Sequence, residues 1–156
     1  MIARVLSMLV VSTAVVAGAA VPPPGFGGHW MFHPEQSRNI GMMASMKIST
    51  VIVQTSSELT VDDNSDFNGQ TDTQHTVYDL TGKPVRNSPI MGGTATTHSH
   101  WDGPRLVTEW ESPGSIAGTT VKRTELRYLS PDGKTMFVES SRSGQPSIMM
   151  VFMRDR

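Results

Sequence analysis

Three early residues have side chains that can bind transition metals. His29, Met31 and His33 fall at i, i+2 and i+4, a spacing that puts all three on one face of an extended chain. Imidazole with thioether is a copper-like donor set. His98 and His100 repeat the spacing, and His75 stands alone. If Trp30 and Phe32 point inward, however, His29, Met31 and His33 point to solvent. No thiolate stands near them, because the chain has no cysteine. Surface imidazoles on strands account for these residues, and no metal site is expected. Carboxylates come from Glu109, Glu111, Glu125 and Glu139. The first two read as outward-facing, beside Arg123 and Arg127, in solvated cross-strand ion pairs. No serine sits in a Gly-x-Ser-x-Gly elbow. There is no phosphate loop, dinucleotide fingerprint or His-Glu-x-x-His helix. No catalytic residue and no cofactor is assigned.

Another group has the character of a pocket wall. Tyr78, Trp101, Leu106, Trp110, Leu126, Tyr128 and Met136 supply apolar surface, and Thr97 and Thr108 add hydroxyls. Apolar walls with a few placed polar groups describe a small-molecule site. The same residues also suit a filled core, since eight-stranded barrels occur both filled and hollow.

Strands must position these residues. Charged side chains are only 17% of the chain, and the many Ser and Thr residues suit strands and turns. Strands are expected over 28–33, 47–54, 58–62 and 74–80, with a polar turn over 63–66. Two more, over 94–101 and 104–111, flank Asp102-Gly103, read as a two-residue turn. That register pairs Trp101 with Pro104, Ser99 with Leu106, Thr97 with Thr108 and Ala95 with Trp110. A second hairpin over 130–134 sets Tyr128 near Met136 and Leu126 near Val138 on the inner face. A last strand runs over 147–154. Eight or nine strands in an antiparallel meander must close or stack to hide their edges. A lone Pro34–Arg38 stretch reads as one helical turn or bend.

The N-terminus carries an export pattern. Arg4 precedes an apolar run over 5–17, and Ala17-Gly18-Ala19 supplies a small-x-small end. The run is too short to span a bilayer, which takes about 20 apolar residues. Cleavage after Ala19 is expected. Residues 20–27 then form a leader and 28–156 one domain, with no transmembrane segment in the mature chain. That mature chain carries 12 basic and 14 acidic side chains, a balance that argues against nucleic acid. Destination is periplasm or medium.

Gly28-His29-Trp30 at the first strand and Arg154 near the end of the last resemble the lipocalin-like, or calycin, barrel pattern. In that family a Gly-x-Trp opens the first strand and a late arginine packs over the tryptophan. The resemblance gives Gly28, Trp30 and Arg154 structural roles. The wider frame is similar to small exported bacterial proteins of uncharacterised function. They share a Pro-x-x-Ser bend (Pro34 to Ser37), a Trp-Asp-Gly hairpin (Trp101 to Gly103) and a Pro-Asp-Gly-Lys hairpin (Pro131 to Lys134). No Thr-Asp-Tyr segment of the lipocalin kind is present. The expected fold is an all-β, antiparallel up-and-down lipocalin-like barrel, with a β-sandwich as the alternative. The expected function is binding of a small apolar or amphipathic molecule in the barrel. The alternatives are a cofactor-free enzyme in the same cavity and a filled barrel that acts through its outer face on an envelope partner.

Overall fold

The computed structural model describes residues 23–89 and 93–155; the expected signal segment lies outside them. Among these residues, ten antiparallel strands form one sheet. They are β1 Gly28–Phe32, β2 Lys47–Gln54, β3 Glu58–Phe67, β4 Gln70–Asp79, β5 Val85–Asn87, β6 Ala95–Asp102, β7 Arg105–Pro113, β8 Thr120–Leu129, β9 Thr135–Ser141 and β10 Ile148–Arg154. The order is β4-β3-β2-β1-β10-β9-β8-β7-β6-β5, so only β1 and β10 pair out of sequence. This is a nearly closed up-and-down barrel, as the strand pattern implied.

The seam between β4 and β5 is bridged by side chains. Asn87 Oδ1 accepts from the Val77 N–H at 3.0 Å, and Asn87 Nδ2 donates to the Val77 carbonyl at 2.8 Å. One amide thus imitates a strand residue. Gln74 Nε2 adds a bond to the Ser88 carbonyl at 2.9 Å.

Three turns decide which residues face inward. The first was expected to lie over 63–66, but β3 and β4 run on to Phe67 and Gln70. The turn is Asn68-Gly69, with φ of 53° and 83°, the two positive values that a type I′ hairpin needs. Asp63 is therefore a strand residue. In the second hairpin Asp102 pairs with Arg105 and Trp101 with Leu106, so Gly103-Pro104 is the turn rather than Asp102-Gly103. Pro104 has no N–H to close a hairpin, whereas Arg105 does. Gly103, at φ 56°, takes the first turn position of a II′ type. The slip is two residues, so every side chain keeps its face.

The third hairpin slips by one. Leu129 pairs with Met136, Tyr128 with Phe137 and Arg127 with Val138. Gly133 N–H closes a four-residue turn on the Ser130 carbonyl at 2.9 Å, with proline at its second position as a type I turn prefers. A one-residue slip turns a strand over. Leu126 and Tyr128, expected inside, face out; Glu125 and Arg127 face in.

Between β1 and β2 two short 3-10 turns, Pro34–Gln36 and Gly41–Ser45, stand at one end of the barrel. The first follows the expected bend: the Ser37 N–H bonds to the Pro34 carbonyl at 3.1 Å. Around the second, Ile40 is buried, and Met43 and Met46 pack on the core. Among the described residues no helix is long and apolar enough to cross a membrane.

Candidate functional site: a buried polar cluster in the barrel

The two ends of the barrel interior differ. At the end that holds the start of β1, Trp30 is wholly buried and its indole N–H donates to the Phe26 carbonyl at 2.8 Å. The Arg154 guanidinium lies 4.2 Å over the Trp30 ring. It donates to the carbonyls of Gly27, Gly25 and Gly133. Gly28 is there for space as well as conformation, because a Cβ would stand 2.6 Å from Arg154 Nη1. Phe26, in the stretch expected to be a leader, is fully buried and stacks on Trp101 with ring centres 5.9 Å apart. This end is sealed.

Further in, the barrel holds charge. Glu125 and Arg127 on β8 are both buried. Inward-facing alternate residues on one strand bring them together, and Arg127 Nη2 lies 3.1 Å from Glu125 Oε1. From across the barrel, Tyr78 on β4 donates its hydroxyl to the same oxygen at 3.1 Å. Arg127 Nη2 also reaches the Tyr78 oxygen, at 3.3 Å. Thr50 donates to Asp63 at 2.5 Å. Near the other end of the barrel, Arg123 lies 4.4 Å over the Trp110 ring and 3.9 Å from Glu125 Oε2. Tyr78 meets Trp110 edge-on at 6.1 Å.

These groups feel one another. Burial pushes the Tyr78 phenol far above its usual range, and the Glu125 charge adds to that. Burial also raises the Asp63 carboxyl. The Thr50 hydrogen bond and the Arg127 charge oppose that rise, while Glu125 adds to it. Burial works against the Arg127 charge, but Tyr78, Glu125 and Asp63 outweigh it.

Among the described residues, two donors in the interior have no partner: Arg127 Nε and Trp110 Nε1. The third contact of Arg127, Nη1 to Met136 Sδ at 3.8 Å, is a weak acceptor. Around the cluster the packing is close. Leu59 and Met136 are inaccessible even to a water-sized sphere, and Leu106, Thr97 and Thr108 nearly so.

Of the residues read as pocket wall, Tyr78, Thr97, Leu106, Thr108, Trp110 and Met136 line this interior. Thr97 is tied to Asn87 at 2.9 Å and Thr108 to Ser99 at 2.9 Å. Trp101 is only partly buried and belongs to the sealed end. Leu126 and Tyr128 are on the outer face, where Tyr128 stacks on Phe137 and donates to Glu139. Arg127 is not the surface partner of Glu109 or Glu111; Glu111 pairs with Lys122 at 2.6 Å instead. Glu125, Arg127, Asp63 and Asn87 were not read from the sequence as inward groups.

The histidines stand outward. His29, His98, His100 and His75 are exposed, and His33 is partly so. Two have carboxylate partners: His75 with Asp62 and His33 with Glu35, each at 2.6 Å. Among the described residues no group of three or more His, Asp or Glu side chains could hold a metal ion. Two open depressions, of about 370 and 510 Å³, lie outside the barrel cluster, and no residue of that cluster lines either.

Known structures share this architecture. Human cRBP IV superposes with a TM-score of 0.65 at 17% identity, over 85% of this chain and 100% of that one. The REP1-NXSQ fatty acid transporter gives 0.65 at 13% identity, over 83% and 96%. Apo lipid binding protein 8 of Caenorhabditis elegans gives 0.65 at 9%, over 83% and 95%. The fold is thus the lipocalin-like, calycin barrel that the Gly-x-Trp and Arg154 pattern resembles. No family model and no curated protein matches the sequence.

Proposed function

We propose that this chain is an exported binding protein that holds a small apolar or amphipathic molecule inside its barrel. One observation carries the reading: a charged cluster, with two donors that lack partners among the described residues, sits in an interior of apolar and hydroxyl side chains. Each such donor costs about 1–3 kcal/mol when left unmade, and an acceptor oxygen from a ligand relieves that cost. Tyr78, Trp110, Thr97, Thr108, Leu106 and Met136 are the wall of the proposed site. Because these side chains are close-packed, they must part to admit a ligand, and the tail's own apolar burial, at roughly 25 cal/mol per Å², supplies the binding energy. Entry is by the end covered by Ile40, Met43 and Met46, where unbranched thioethers yield readily. The names of two similar structures, a fatty acid transporter and a lipid binding protein, support the same class of ligand.

Titration of the protein with the neutral dye N-phenylnaphthylamine tests this. Saturable, equimolar fluorescence enhancement is expected; a linear, non-saturating rise contradicts it. Export is tested by the N-terminus of protein recovered from a bacterial envelope fraction, expected to begin at Ala20. Recovery of chain that keeps residues 1–19 in the cytoplasm counts against it.

A cofactor-free enzyme in the same interior is the second reading. The inward Glu125 beside the Tyr78 hydroxyl favours it. A bound molecule released with an altered mass would select it over simple binding.

A further inference from the structure

The charges in the barrel balance, and that balance specifies the head of the ligand. Arg127 is the buried cation that would meet a carboxylate, but Glu125 already occupies it at 3.1 Å. Asp63 faces the same interior from β3, where Thr50 donates to it. Arg123 faces the other carboxylate oxygen of Glu125 from a position still 38% exposed. Two guanidiniums thus stand against two carboxylates. A third carboxylate, brought in by a ligand, would leave water for a site whose cations are already matched. It would also stand beside Glu125, where like charges repel strongly because water is excluded. The unpartnered groups are different: Arg127 Nε–H and Trp110 Nε1–H are donors in search of an acceptor, not unmatched charges.

We infer that the barrel selects a ligand with an uncharged, oxygen-bearing head, such as an alcohol or a carbonyl, and that Glu125 is the residue that excludes carboxylate heads. This rests on the ligand-binding reading above and deepens it. Glu125 acts as a specificity element: it holds Arg127 in place, cancels its charge and leaves its Nε–H to hydrogen-bond.

The test uses two competitors with the same tail, dodecanol and dodecanoate, to displace N-phenylnaphthylamine at neutral pH. The wild-type protein is expected to release the dye at an alcohol concentration at least about tenfold below that of the carboxylate, about 1.4 kcal/mol of discrimination. Glu125→Gln keeps an acceptor oxygen but removes the charge, and the gap is expected to close or reverse. If that variant fails to fold, judged by circular dichroism, the Glu125→Gln/Arg127→Gln double variant is measured instead, with the same loss of discrimination expected. Carboxylate binding as tight as alcohol binding in the wild type overturns this inference and leaves the ligand-binding reading intact. So does a variant that keeps the full gap. Displacement by neither competitor, with no saturable dye binding, overturns both.

Discussion

Two of the arginines in this barrel, Arg154 and Arg127, are held in opposite ways. Arg154 lies over Trp30 with backbone carbonyls on all three of its nitrogens. Arg127 has a glutamate, a phenol and a thioether on its terminal nitrogens, and nothing on Nε. Carbonyls are fixed and neutral, so Arg154 acts as a permanent seal that ties the segment before β1 to the end of β10. The partners of Arg127 are side chains, one of them charged, and they leave a donor open. The comparison separates an arginine that finishes the fold from one that is available to a ligand.

The largest expected effect falls on the seal. Trp30→Ala removes the ring that Arg154 covers and should cost about 3–5 kcal/mol, the usual range for a buried tryptophan, read as a drop in the urea midpoint. A loss below about 1 kcal/mol would mean that this end is not the keystone described here. The cluster should break differently. Glu125→Met alone strands a buried guanidinium and should cost about 3 kcal/mol. Glu125→Met/Arg127→Met together should be near neutral or stabilising, as replaced buried pairs often are. If the double variant is as unstable as the single one, the cluster is structural and the contrast with Arg154 fails.

Smaller effects sharpen the picture. Asn87→Ala removes two bonds across the β4–β5 seam and should cost about 1–2 kcal/mol. Amide exchange should quicken at Val77, and ladder residues of β8 and β9 should serve as the unmoved control. The smallest effect concerns pH. Burial holds the Asp63 carboxyl above its usual range in the folded state. A group raised in this way favours folding while protonated and loses that contribution as pH rises through its folded value. Asp63→Asn, which still accepts from Thr50, should melt higher than wild type above that pH and level with it in acid. A variant that melts lower at neutral pH would show that the ionised form stabilises the barrel.

How much of this was legible in the sequence depended on the turns. The family resemblance marked Gly28, Trp30 and Arg154, and the hairpin pattern placed Leu106 and Trp110 inside. The Gly103 hairpin was misplaced by two residues at no cost to the faces, because strand side chains repeat every two. The Pro131-Asp132-Gly133 hairpin was misplaced by one, and that error hid the cluster. On β8 the usual cue misleads, since its apolar residues Leu126 and Tyr128 face out while Glu125 and Arg127 face in. Two signals were available: the Ser-Pro-Asp-Gly order of a type I turn, which sets a four-residue loop, and Asn68-Gly69, a strong hairpin dipeptide that would have kept Asp63 in a strand. Nothing local marks Asn87, whose role depends on a strand that is distant until the barrel closes.

The most direct test of the account follows the side-chain N–H groups themselves by proton–nitrogen correlation spectroscopy as dodecanol is added. The account predicts that Arg127 Nε–H and Trp110 Nε1–H shift in a saturable way while Arg154 Nε–H stays still. Saturable binding that moves Arg154, or only outer-face groups, and leaves Arg127 and Trp110 unchanged would contradict it.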